Sequence, residues 1–175
     1  MRTLLPLAAL CLSAAANADT PAPPKQPPAC AAAEFHQFDF WVGDWDVTNP
    51  QGKAAGQSRI EAILDDCAIS ENWRGAGGTV GRSYSAWDAS NKRWNQYWVA
   101  TDGQVLYLGG GLVDGRMVLS GDTIDAKSGK RSPQRVTWTP NTDGTVTQLW
   151  QTSDDSGKTW RTVFEGNYKR AEKKP

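Results

Sequence analysis

Phe38-Asp39-Phe40-Trp41-Val42-Gly43-Asp44-Trp45-Asp46-Val47 is the stretch on which the fold turns. Four aromatic residues fall within eight positions, and from Gly43 onward apolar Trp45 and Val47 alternate with polar Asp44 and Asp46. Strict alternation is the mark of a strand with one buried face. The aromatic cluster ahead of it does not alternate. The stretch therefore reads as a short capping helix that turns on Gly43 into the first strand of a β-barrel. Trp41, Gly43 and Trp45 are assigned structural roles at the closed end of that barrel.

Downstream, β-patterned runs arrive at short intervals, separated by Gly, Asn, Asp and Ser. The pattern predicts strands over Asp44–Thr48, Gln57–Leu64, Ala68–Arg74, Thr79–Trp87, Trp94–Ala100, Val105–Gly109, Met117–Asp122, Arg135–Thr139, Thr145–Thr152 and Trp160–Tyr168. Only Ala31–Phe38 has a helical character. Ten short strands joined by tight turns form an antiparallel meander, and a meander of this size escapes exposed edges by closing on itself. The expected fold is all-β: a single antiparallel up-and-down barrel of about ten strands, with a short N-terminal capping helix.

Upstream, Met1-Arg2-Thr3 and the apolar Leu4–Ala16 precede Ala16-Asn17-Ala18, a small-x-small cleavage pattern. Residues 1–18 thus read as a secretory signal peptide cleaved after Ala18, which places the protein in the periplasm or outside the cell. The apolar run, about 13 residues, is well short of the ~20 that span a bilayer. A lipoprotein reading at Cys11 is disfavoured by Leu10 and by apolar residues that continue beyond it. Residues 19–29 form a proline-rich linker suited to polyproline II. Residues 30–170 form one domain, and 171–175 a basic tail. The whole chain carries 19 basic and 19 acidic residues. Losing residues 1–18 removes only Arg2, so the remainder stands at about −1. With no basic patch interleaved with aromatics, nucleic acid is not an expected partner.

Beyond the leader the cysteines are Cys30 and Cys67. An even count in an exported chain argues for one disulfide, here pinning the segment before the capping helix to the start of a later strand. Among the turns, Asn141-Thr142-Asp143-Gly144 is a hairpin signal. Ser153-Asp154-Asp155-Ser156-Gly157-Lys158-Thr159-Trp160 is similar to the Asp-box hairpin at every fixed position. That resemblance implies an Asp155 carboxylate bonded to turn amides, a positive φ at Gly157 and Trp160 covering the turn. A single copy specifies a hairpin, not the sialidase chemistry with which such boxes are associated.

Strand parity points to a site. Ile69, Glu71 and Trp73 share one face of their strand, and Trp94, Gln96 and Trp98 share one face of theirs. Gln148 lies likewise between Val146 and Trp150. If these faces point inward, Glu71, Gln96 and Gln148 are polar groups in an aromatic interior, where leaving them unpaired costs a few kcal/mol each. Arg135 is a candidate counter-charge for Glu71. Three readings of Glu71 follow: a structural ion pair, a ligand-orienting group, or a general acid/base whose pKa is raised by burial. The expected ligand-binding set is Glu71, Trp73, Trp94, Gln96, Trp98, Arg135 and Gln148. No catalytic set, metal site or cofactor is expected. The single His36 precedes the first strand, no G-x-S-x-G elbow occurs, and Asp39, Asp44 and Asp46 lack EF-hand spacing.

The segments His36–Val47, Cys67–Trp73 and Trp94–Trp98, with the terminal Asp-box and Tyr168, resemble a bacterial family of exported domains to which no activity is attached. More loosely, Gly43-Asp44-Trp45 with a basic residue on the last strand, Lys169 or Arg170, resembles the lipocalin-like calycin barrels. That likeness implies a basic side chain, Arg170 in the structural set, packed over Trp45 at the barrel base. It also implies binding of small apolar molecules, with isomerases and hydratases as the minority. The functional expectation is therefore an exported, lipocalin-like protein that binds a small, largely apolar ligand. Two alternatives stand beside it: a carbohydrate-binding module using surface tryptophans, and a barrel isomerase or hydratase with Glu71 as acid/base.

Overall fold

The computed structural model describes residues 29–172. The leader, nearly all of the proline-rich linker and the last residues of the basic tail lie outside the described residues. Ten strands follow one another antiparallel: β1 (Gly43–Thr48), β2 (Ala54–Ile63), β3 (Ala68–Gly75), β4 (Val80–Asp88), β5 (Arg93–Ala100), β6 (Val105–Val113), β7 (Arg116–Ile124), β8 (Arg131–Pro140), β9 (Val146–Thr152) and β10 (Arg161–Arg170). Each pairs with the next, and β10 returns to pair with β1, so the barrel is closed and up-and-down. Every strand predicted from the sequence is present, most of them longer by a residue or more at one end. The helix differs in kind. It is two 3₁₀ turns, Ala33–His36 and Asp39–Trp41. Neither has a side-chain cap, and each is too short to sustain an α-helical ladder.

Those turns plug one end. In 3₁₀ geometry residues three apart eclipse, which brings Phe38 and Trp41 to one side with rings stacked 4.9 Å apart. Both are fully buried. Phe38 also meets Trp94 of β5 and Trp138 of β8 edge-on, at 5.8 and 5.1 Å. The plug is dense in aromatic area, and it buries the indole N–H groups of Trp41 and Trp138 without partners.

The barrel seam is fastened at the same end. Trp45 Nε1 donates to the Trp41 carbonyl at 2.8 Å. Arg170 lies directly across the seam from Trp45, its guanidinium 3.9 Å from the indole centroid, and it also donates to the Val42 carbonyl. Gly43 makes this possible. Its φ is +147°, and a Cβ there would overlap the Arg170 guanidinium. Cys30 and Cys67 are joined in a disulfide, which ties the entrance of the plug to the β2–β3 turn. Such bonds persist in oxidising compartments. Among the described residues no helix is long and apolar enough to cross a membrane.

Candidate functional site

The opposite end of the barrel holds a cavity of about 150 Å³, a volume in which an apolar cavity takes a molecule the size of benzene. Its aromatic walls are Trp73, Trp98, Trp150 and Phe164, with Leu106 among them, while Glu71, Gln96, Gln148 and Tyr168 supply polar groups. Thr79, Ala100 and Gln104, near the ends of their strands, complete the lining.

Three strand glycines keep this space open. A Cβ on Gly56 would run into the Trp73 ring, one on Gly81 into the Trp98 ring, and one on Gly166 into the Phe164 ring. Each large ring therefore occupies the place that a side chain on the wall glycine would take. Two of the indoles are also fixed by hydrogen bonds. Trp98 Nε1 donates to Gln104 Oε1 at 3.1 Å, and Trp150 Nε1 to Gln134 Oε1 at 2.8 Å. Gln134 in turn donates to Thr152 Oγ1 at 2.7 Å. Trp73 meets Phe164 edge-on at 5.8 Å.

Glu71 is the chemical centre of the cavity. It is 5 % exposed, opposite Ile60 of β2 and Ser83 of β4. Ser83 Oγ donates to one carboxyl oxygen at 2.9 Å and Ser58 Oγ to the other at 3.2 Å. Among the described residues no cation pairs with it, which overturns the ion-pair reading. Burial pushes its pKa up to about 7, because the charged form is poorly solvated there; the two serine hydrogen bonds oppose the rise. Tyr168 is held well above its ordinary value by burial and then by the Glu71 charge. The phenol is thus a firm donor, and it donates to Gln148 Oε1. Gln96 Nε2 donates to Ser85 Oγ at 3.1 Å, leaving its carbonyl oxygen without a partner among the described residues.

Of the seven residues expected in the site, Glu71, Trp73, Gln96, Trp98 and Gln148 line the cavity. Trp94 does not. It shares the inward face of β5 with Gln96 and Trp98, but sits at the plugged end with its Nε1 bonded to Gln37 Oε1 at 3.2 Å. Arg135 is not a counter-charge to Glu71 either. Gln134, Val136 and Trp138 are the buried residues of β8, so Arg135 projects outward, over the Trp160 ring at 4.2 Å and onto Gln151 Oε1 at 2.7 Å. Its role is to anchor the β9–β10 hairpin. Trp150, Phe164 and Tyr168 belong to the cavity and were not in the expected set. The sequence carries a signal for two of them, since Trp150 shares a strand face with Gln148 and Tyr168 shares one with Gly166.

The hairpin itself is built as the Asp-box implies. Asp155 Oδ1 accepts from the Thr159 amide at 2.8 Å and Oδ2 from its hydroxyl at 2.7 Å. These bonds, with one from Ser153, hold the Asp155 pKa down at about 2. Gly157 takes a φ of +88°, and the Trp160 ring covers it at van der Waals distance.

A second concavity, about 790 Å³, lies beside β1 to β4. Side chains there already pair with one another, Arg59 with Asp44 at 2.8 Å and Gln57 with Asp46 at 2.7 Å. His36 is exposed and pairs with Asp39 at 2.8 Å. None of the nine tryptophans is fully exposed; Trp41, Trp45, Trp94 and Trp138 are buried and the other five are half-buried. The chain matches no protein-family model, and no curated protein matches it.

Proposed function

We propose that the protein is an exported binding protein that takes a small, largely apolar molecule into the open end of its barrel. The cavity carries this reading. Binding pockets combine an apolar, aromatic lining with a few convergent polar groups, and here three indoles and a phenyl ring surround Glu71, Gln96 and Gln148. Three of the rings occupy places that side chains on wall glycines would take. Export to the periplasm or beyond is supported by the leader pattern and the disulfide.

Native mass spectrometry of protein purified from its own host is the direct test, with Trp73, Trp98 and Trp150 as fluorescent reporters for added small aromatics. An adduct of defined mass, and a fluorescence change abolished by Ala100→Trp at the mouth, are the expected results. No adduct, together with indole fluorescence indifferent to every small apolar molecule tried, would refute the reading.

One observation favours a second reading, a barrel isomerase or hydratase. A carboxyl with a pKa near 7 facing a substrate-sized cavity is suited to general acid/base work. Glu71→Gln separates the two. Loss of turnover with retained binding identifies an enzyme, whereas altered binding with no turnover in either protein identifies a carrier.

A further inference from the structure

We infer that the ligand of this cavity is a small organic cation, an amine or quaternary ammonium group on an aromatic or compact aliphatic body. The inference rests on the binding reading above and specifies its polar end. Three observations converge on it. Among the described residues Glu71 is the only carboxylate lining the cavity, and no Lys, Arg or His lines it with Glu71. The elements packed against Glu71 offer no compensating charge: β2 presents Ser58 and Ile60, β4 presents Ser83, and β10 presents Tyr168, a phenol that stays neutral. Arg59, Arg74 and Arg82 of the same strands alternate with these inward residues and lie along the outer concavity.

The walls supply the second half of the argument. Trp73, Trp98, Trp150, Phe164 and Tyr168 ring the same space, and the faces of aromatic rings attract cations, with indole the strongest. A carboxylate inside an aromatic enclosure is complementary to an ammonium group on both counts. Acceptor capacity fits as well. Each Glu71 oxygen receives a single serine hydrogen bond, although an ionised carboxylate offers about four acceptor positions. The unpartnered Gln96 carbonyl oxygen adds another. An anionic ligand would meet like charge, and a neutral one would leave the carboxylate uncompensated.

The test uses four probes of nearly equal shape: benzylamine, benzyl alcohol, toluene and benzoate. Each is titrated into the purified protein at about pH 8 and about pH 5.5, with tryptophan fluorescence and calorimetry as readouts. At the higher pH benzylamine should bind at least about tenfold more tightly than benzyl alcohol, and benzoate most weakly. Only the ionised carboxylate recognises the amine, so its affinity should fall about thirtyfold at the lower pH, following the fraction of Glu71 that is charged. Benzyl alcohol and toluene should show no comparable change. Glu71→Gln should flatten the benzylamine profile while leaving toluene binding in place. If benzyl alcohol or toluene binds as tightly as benzylamine at both pH values, the cation assignment is overturned and the apolar pocket stands. If none of the four binds, the pocket reading fails, and the cation assignment fails with it.

Discussion

Replacing Glu71 by Gln should stabilise the protein at neutral and alkaline pH and leave it unchanged in acid. Gln keeps the shape of the side chain, and its amide can hydrogen-bond both Ser58 and Ser83, but it carries no charge. In the native protein, burial lifts the Glu71 carboxyl from its ordinary 4.5 to about 7. Below the ordinary value both the folded and unfolded chains hold the proton. Between the two values the unfolded chain releases it and the folded chain keeps it, so stability falls as pH rises. Above the folded value both are ionised, and the loss is complete. At about 1.4 kcal/mol for each pH unit of that interval, the native protein forfeits about 3 kcal/mol that the Gln variant does not. For a domain of this size that corresponds to about 10 °C in melting temperature. Urea unfolding of both proteins, followed by tryptophan fluorescence from about pH 4 to about pH 9, isolates the effect, because other titrating groups cancel in the difference. A difference that does not change with pH, or a native protein more stable than the variant above neutrality, would show that Glu71 has a charged partner and would refute the reasoning.

Three further outcomes follow from other parts of the barrel. Gly43→Ala should cost about 2 kcal/mol through backbone strain and displacement of Arg170 from Trp45; an unchanged urea midpoint would contradict it. Asp155→Ala should remove the hydrogen-exchange protection of the Thr159 amide. In the native hairpin that protection should be present above the ordinary carboxylate value of 3.8 and fade as pH falls through about 2, and indifferent exchange rates measured by NMR would rule the bond out. Reducing the Cys30–Cys67 disulfide, which closes a separation of 37 residues, should lower stability by about 4 kcal/mol on loop-entropy grounds. Equal unfolding curves with and without reductant would count against that contribution.

Strand parity carried most of the site, because alternation assigns a face without any knowledge of the partner strand. Glu71, Gln96 and Gln148 were legible for that reason. Parity says nothing of height along the barrel axis, and Trp94 shows the consequence. It occupies the inward face of β5 together with Trp98, yet the two rings belong to opposite ends of the molecule. Arg135 was misplaced for a different reason. The need of a buried Glu71 for a partner points to Arg135, but the alternation of Val136 and Trp138 turns Arg135 outward. Phe164 was obscured by the register shift between Thr162 and Phe164 in β10, which interrupts the alternation there. The glycines beneath the rings were the least legible feature. Gly56, Gly81 and Gly166 look like defects in their strands, and their meaning depends on which side chain crosses over them from a neighbouring position. The Asp-box hairpin was readable in detail from residues at fixed spacing, and the packing of a basic side chain over Trp45 followed from the likeness to calycin barrels, which left Lys169 and Arg170 as candidates.

The seam also settles how the barrel can be held. Cys30 is tied to the β2–β3 turn, and the Ala171 amide bonds the Asp44 carbonyl at 2.9 Å, so both ends of the described chain emerge at the plugged base. Chain that continues from either described end therefore sets out from the side away from the mouth, and the barrel stands like a cup whose stem begins at its base.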